Sequence, residues 1–274
     1  MGKRLVEQIV SSLAKANWPA NTQVTALGRK TYEIGLDQVD SYHHDPKPLA
    51  AALRTFLGGD SAPYAMAGVA YVLLAAAQEP DGSFDQEGVA QAQRLLEKAQ
   101  SYEPDQREIN FIESLVYIYG DRLEDARLVL DYLWSVDPTF YYLSAAEVAF
   151  WQQSRDLEQT VHWCQQASNA AASNPQRLRW RRTIAENYLA FKQYDKAIPA
   201  FREAIHVDPQ SAELWHHLAL VYWRMENDAE AERANQQALR FQPNYQPALD
   251  LVAAMEEKKK AKSTGRLGSL FRRS

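Results

Sequence analysis

Proline recurs along this chain at a fixed step. Pro104 and Pro138 are 34 residues apart, and so are Pro175 and Pro209, and Pro209 and Pro243. Tyr188 and Tyr222, Ala197 and Ala231, and Ala204 and Ala238 keep the same interval. A self-similar period of roughly 20–50 residues means one small structural unit used repeatedly. Such a unit cannot bury its apolar face alone, so successive units must stack. That constraint outranks any residue-level reading of the 274-residue chain.

The unit is legible in its best copy, 212–245. Trp215, Leu218, Ala219 and Tyr222 are followed by Ala231, Ala238 and Pro243. This resembles the tetratricopeptide repeat family, whose pattern runs W-x2-L-G-x2-Y…A-x3-F…P over 34 residues. Asn235 stands in place of the phenylalanine. The preceding copy, 178–211, has Ala185, Tyr188, Ala197, Phe201, Ala204 and Pro209, with Arg181 at the tryptophan position. Residues 107–140 match through Tyr117, Ala126 and Pro138. Residues 141–177 match through Trp151, Cys164 and Ala167, with three extra residues near 168–175. A first copy starts at Tyr64, Ala67, Gly68 and Tyr71, then carries the insertion EPDGSFDQEG before Ala92, Leu96, Ala99 and Pro104. The resemblance covers about 61–260.

Two antiparallel helices per unit explain these positions. Gly68, Ala185 and Ala219 let the helices approach, and Tyr71, Tyr117, Tyr188 and Tyr222 fill the space beside them. Each proline ends a second helix, because the residue before it is driven out of the α region. In HVDPQSAELW, Ser211 is placed to cap the next helix. Residues 246–260 read as a helix that closes the stack with a polar face. The expectation is an all-α, right-handed α-solenoid of about five helix-turn-helix repeats plus this cap. Residues 1–60 form a separate N-terminal segment, 61–260 the solenoid with its cap, and 261–274 a basic flexible tail.

The N-terminal sixty residues lack the repeat. Residues 3–17 carry Leu5, Ile9, Val10 and Leu13 at helical spacing. Residues 23–27 and 31–39 are β-branched and aromatic around Gly28, and fit a short hairpin. Residues 48–57 read as a helix stopped at Gly58–Gly59, half of a degenerate repeat.

Composition narrows the function. Residues 258–274 carry seven basic residues and no acid, which leaves 23 basic against 35 acidic residues elsewhere. An acidic body argues against nucleic-acid binding. One cysteine, Cys164, excludes an internal disulfide and a cysteine metal cage. The N-terminus is too interrupted for a signal peptide, and the longest apolar run, 69–77, is too short to span a bilayer. These features point to a cytoplasmic protein, at most peripheral to a membrane.

Candidate chemistry is sparse. His216 and His217 are helical neighbours, about 100° apart, and lack the i, i+4 spacing of H-E-x-x-H. The repeat register puts His216 on a concave stripe and gives His217 a packing role. His43 and His44 precede a proline turn. Cys164 replaces a large apolar residue and reads as buried and inert. With no phosphate loop, nucleophile elbow or deaminase set, the reading is no enzyme, no cofactor and no metal. Activity would have to come from residues 1–60.

What the resemblance implies is protein binding. In the family, positions 2, 5, 9 and 12 of each first helix line a concave groove. Here they select Phe111, Leu115, Tyr142, Ala145, Ala149, Gln152, Arg179, Arg182, Glu186, Leu189, Glu213, His216, Leu220 and Trp223. Aromatic anchors with arginines suit a protein or peptide segment. The Lys/Asn carboxylate clamp of chaperone-binding relatives is not matched, since Ala145, Ala149 and Glu186 stand there. The expected function is a non-catalytic scaffold or adaptor. The alternative is an assembly or targeting factor held on an anionic membrane surface by the tail, through Lys258, Lys259, Lys260, Arg266, Leu267, Leu270, Phe271 and Arg272.

Overall fold

The computed structural model describes residues 2–40, 46–79 and 82–270, with side chains for 3–40, 46–79 and 82–260. His43 and His44 lie outside the described residues. The described chain is helical, and its extended pairing is a single bridge between Gln78 and Phe84. Among the described residues fourteen helices divide into two compact units, 1–156 and 157–274. The first holds α1 (Gly2–Leu13), α2 (Ala26–Asp40), α3 (Pro46–Leu57), α4 (Ala62–Ala77), α5 (Gln86–Tyr102), α6 (Arg107–Tyr119), α7 (Leu123–Val136) and α8 (Tyr141–Gln153). The second holds α9 (Leu157–Ala170), α10 (Asn174–Ala190), α11 (Tyr194–Val207), α12 (Ala212–Arg224), α13 (Asp228–Phe241) and α14 (Gln246–Leu270). In each unit, consecutive helices pack as hairpins and the hairpins stack, the arrangement of an α-solenoid.

The chain leaves α6, α8, α10 and α12 through one kind of turn. Asp121, Arg155, Lys192 and Glu226 have φ of 59, 57, 59 and 60°. These four left-handed residues are 34, 37 and 34 positions apart, so the middle step recovers the three extra residues near 168–175. At each turn a backbone N–H reaches back five residues: Arg122 to Tyr117, Asp156 to Trp151, Gln193 to Tyr188 and Asn227 to Tyr222, at 2.8–3.0 Å. That bond satisfies a carbonyl orphaned at the helix end. Ser211 caps its helix as expected, and three further helix starts are capped in the same way. Ser211 accepts from the Leu214 N–H, Asp85 from Gly88, Ser173 from Gln176 and Asn227 from Glu230.

The expected hairpin at 23–39 is instead the helix α2. Thr25 starts it, accepting from the Gly28 N–H through Oγ1 at 2.8 Å. Tyr32, Leu36 and Val39 are buried at a helical period. Packing on α3 and α4 thus overrides the modest strand preference of β-branched residues. The 60/61 boundary drawn from sequence falls inside the first unit.

α4 is the centre of that unit. Every residue of Ala62–Ala77 except Ala75 is buried, against α1, α2, α3, α5 and α6. A helix apolar all round belongs inside. The Phe56 ring packs against two glycines. A Cβ on Gly35 or on Gly68 would stand 2.2 Å from that ring, so neither position admits a side chain without moving it.

The second unit has a core of Ala185, Ala197, Phe201, Ala204, Leu214, Leu218, Ala219, Tyr222 and Ala231, closed by Leu251 and Met255 of α14. Trp215 donates its indole N–H to the Pro209 carbonyl at 2.9 Å, tying α12 to the preceding turn. Where the sequence leaves the repeat pattern, space opens. Arg181 lines a cleft of about 570 Å³ with residues of α9 and α11, and Asn235 lines one of about 170 Å³ against α14. The cap helix, expected to end at 260 and give way to a flexible tail, continues through Ser263 and Gly265 to Leu270. Ser and Gly cost only about 0.5–1 kcal/mol each inside a helix, and lysine, arginine and leucine flank them.

Candidate functional site

Two buried carboxylates organise the first unit, and both are structural. Glu147 on α8 is 1% exposed. It accepts four N–H groups: Arg127 Nη1 and Nη2 at 3.1 and 2.8 Å, Trp134 Nε1 at 3.0 Å and Trp151 Nε1 at 3.1 Å. This clamps α7 to α8. Glu108 on α6 pairs with Arg29 of α2 at 3.3 Å and Arg107 at 3.1 Å, while its backbone carbonyl accepts the Tyr32 hydroxyl at 2.9 Å. Sequence reading missed both. The signal for the first was available: Glu147 and Trp151 are i, i+4 on one helix face.

The stripe expected from the repeat register divides by unit. In the first unit it closes into the core. Phe111 is 1% exposed, with its ring against Tyr71 at 5.8 Å and Tyr142 at 5.2 Å. Leu115, Tyr142, Ala145 and Ala149 are buried too, and burial drives the Tyr142 hydroxyl pKa far above its ordinary value, with Asp40 and Asp37 adding to it. Gln152 is exposed.

In the second unit the stripe stays polar. Arg182 Nη1 donates to Glu213 Oε2 at 3.1 Å across α10 and α12, and its Nε lies 3.7 Å from Glu186 Oε1. His217 Nδ1 is 3.6 Å from the same Glu186 oxygen. Burial between the helices pushes Glu186 up to about 7, with Arg182 pulling down and Glu213 pushing up. Burial pushes His217 down to about 4, opposed by Glu213. Arg179 lies over the Trp180 ring at 4.5 Å. Leu189 and Leu220 pack against the core.

The two histidines exchange the places expected of them. His216 is buried, its Nδ1 3.4 Å from Asn235 Oδ1 and its ring edge-on to Tyr245 at 5.6 Å. Tyr245, in the chain entering α14, covers the position that the repeat register assigns to a concave stripe. His217 faces Glu186 and Glu213 and leans its ring on Phe201 at 5.8 Å. The missed signal is again local: Glu213 and His217 are i, i+4 on α12.

The basic tail residues meet the stripe. Lys258 Nζ sits 4.1 Å over the Trp223 ring and 2.6 Å from Asp228 Oδ1. Lys259 pairs with Glu232, and Lys260 is exposed. Lys258 and Lys259 therefore fasten the cap helix to α12 and α13. Of Arg266, Leu267 and Leu270 the structure describes the helical backbone, and Phe271 and Arg272 lie outside the described residues. Cys164 is fully buried, and burial pushes its thiol up to about 12, as an inert thiol requires. No helix among the described residues is long and apolar enough to cross a membrane.

Known proteins place the chain by fold. The sequence pattern of the tetratricopeptide repeat matches residues 188–255. No curated protein matches the chain in sequence. Among solved structures, the Pyrococcus horikoshii signal transduction ATPase with a tetratricopeptide repeat sensor, PH0952, superposes with a TM-score of 0.61 at 14% identity, over 84% of this chain and 36% of that one. The APC/C hetero-tetramer Cut9–Hcn1 gives a TM-score of 0.56 at 16% identity, over 83% of this chain and 46% of that one. The chain thus spans less than half the length of either. The repeat register, the recurrent turns and these superpositions agree on a tetratricopeptide-like repeat fold, and the family's own sequence pattern is matched over residues 188–255.

Proposed function

We propose that this protein is a non-catalytic scaffold that holds a segment of a protein partner against the first helices of its second unit, α10 and α12. One observation carries the reading. These helices present Arg179, Arg182, Glu186, Glu213, His217 and Trp223 partly exposed, whereas the equivalent stripe of the first unit is buried apart from Gln152. Partly exposed polar groups of both signs beside a tryptophan suit a peptide that brings its own charges and an apolar anchor. The engagement of Lys258 and Lys259 with Asp228 and Glu232 weakens the membrane alternative, because a paired lysine contributes little to an anionic surface.

The test is affinity purification from an extract of the source cells, with wild type beside an Arg182→Glu/Trp223→Ala double variant. Circular dichroism of both checks the fold. Partners retained by wild type and lost from the variant are expected. The same partners on both would remove the stripe from consideration.

A further inference from the structure

We infer that Glu186, Glu213 and His217 form a site for one divalent transition-metal cation, with Zn²⁺ as the natural probe. One ligand atom from each of the three lies within 4.8 Å of the other two. Metal–ligand bonds near 2.0–2.2 Å put tetrahedral zinc ligands about 3.4 Å apart, so small side-chain rotations close the set. His217 Nδ1 and Glu186 Oε1 already stand at 3.6 Å. That is too long for a hydrogen bond and fits two ligands awaiting a shared cation. A second observation points the same way: His217 Nδ1 is shut off from solvent and has no hydrogen-bond partner.

The three side chains come from two rigid helices. Glu213 and His217 are one turn apart on α12, and Glu186 faces them from α10. Two carboxylates and an imidazole suit Zn²⁺ or Mn²⁺ better than Ca²⁺, which takes six to eight oxygens. Arg182 holds Glu213 by Oε2, which orients that carboxylate as outer-sphere partners of metal ligands do. Three protein ligands leave a fourth position for water or for a partner's carboxylate or imidazole. The site lies on the stripe proposed above, but metal binding needs no partner, so the two ideas fail separately.

The experiment is calorimetric titration of Zn²⁺ into chelator-treated full-length protein, alongside Glu186→Gln, His217→Gln and, as a control, the exposed His162→Gln. Visible absorption of bound Co²⁺ reports the ligand field. One equivalent bound by wild type and by the control is expected, with affinity about 100-fold lower or worse in the other two variants. The absence of saturable binding overturns the site, as does binding that persists undiminished in Glu186→Gln and His217→Gln. Should His217→Gln fail to fold, Glu186→Gln decides alone, because that side chain is 39% exposed and its loss leaves the core intact.

Discussion

α4 and α10 both open a repeat, and they could hardly differ more. α4 is buried on every side, with Gly68 pressed against Phe56. α10 buries only Trp180 and Ala185 of its seventeen residues and spends the rest on Arg179, Arg182, Glu186 and other half-exposed groups. The same helical pattern therefore builds an inside in one unit and a face in the other. The difference lies in how charge is kept. Glu147 in the first unit is fully enclosed by four donors, while Glu186 in the second stays partly open beside Arg182 and His217.

Replacing those two carboxylates gives the largest contrast. An amide at 147 offers one acceptor oxygen where four N–H groups converge, so at least one donor meets another donor. Glu147→Gln is expected to cost about 3 kcal/mol, the scale of breaking a buried ion pair. Glu186→Gln, partly solvated, is expected to change stability by no more than about 0.5 kcal/mol. Urea denaturation of both variants measures this, and equal costs would mean that the two units do not handle charge differently.

The small residue of the repeat comes next. Gly68→Ala puts a methyl group 2.2 Å from a ring that also lies against Gly35, at an expected cost of about 2 kcal/mol from overpacking. At the matching position of α12, Ala219→Gly creates no clash and is expected to cost about 1 kcal/mol through helix propensity. Hydrogen exchange assigns each loss to its unit. A mild Gly68→Ala would show that Phe56 has somewhere to go.

These contrasts also show why the sequence was readable in some places and not in others. The second-unit repeat was legible because Trp215, Tyr222, Ala231 and Pro243 are local signals at fixed offsets. The pattern's two failures, Arg181 and Asn235, were legible as well, and clefts stand beside both. α2 was not legible, because its helicity depends on burying Tyr32, Leu36 and Val39 against α3 and α4, and no window of 23–39 contains those partners. The stripe was half legible. Register picked Arg182, Glu186 and Glu213, but it could not tell that Phe111 and His216 would be covered, since covering is done by residues distant in sequence.

Cys164 tests how closed the second unit is. Its thiol is fully buried and pushed up to about 12, so almost none is thiolate at neutral pH. Labelling by a thiol reagent is expected only through opening of α9 and α10, and to accelerate on adding urea. Rapid native labelling would mean that the helices at the start of this unit are frayed.

The smallest effect probes what the units share. Asp121, Lys192 and Glu226 all hold φ near 60° at the hairpin turn, a region costing a residue with a side chain roughly 1–2 kcal/mol and glycine almost nothing. Glycine also gains freedom in the unfolded chain, which offsets part of the relief. Lys192→Gly and Glu226→Gly are therefore expected to stabilise by about 0.5 kcal/mol each, near 1–2 °C in melting temperature. Asp121→Gly should gain less, because a short polar side chain already tolerates the left-handed region. If Asp121→Gly follows this order, the turn is one device common to both units, and their divergence is confined to what each packs around it. A loss of stability at Asp121 alone would mean that the first unit uses that side chain, and that the two units differ even at the turn.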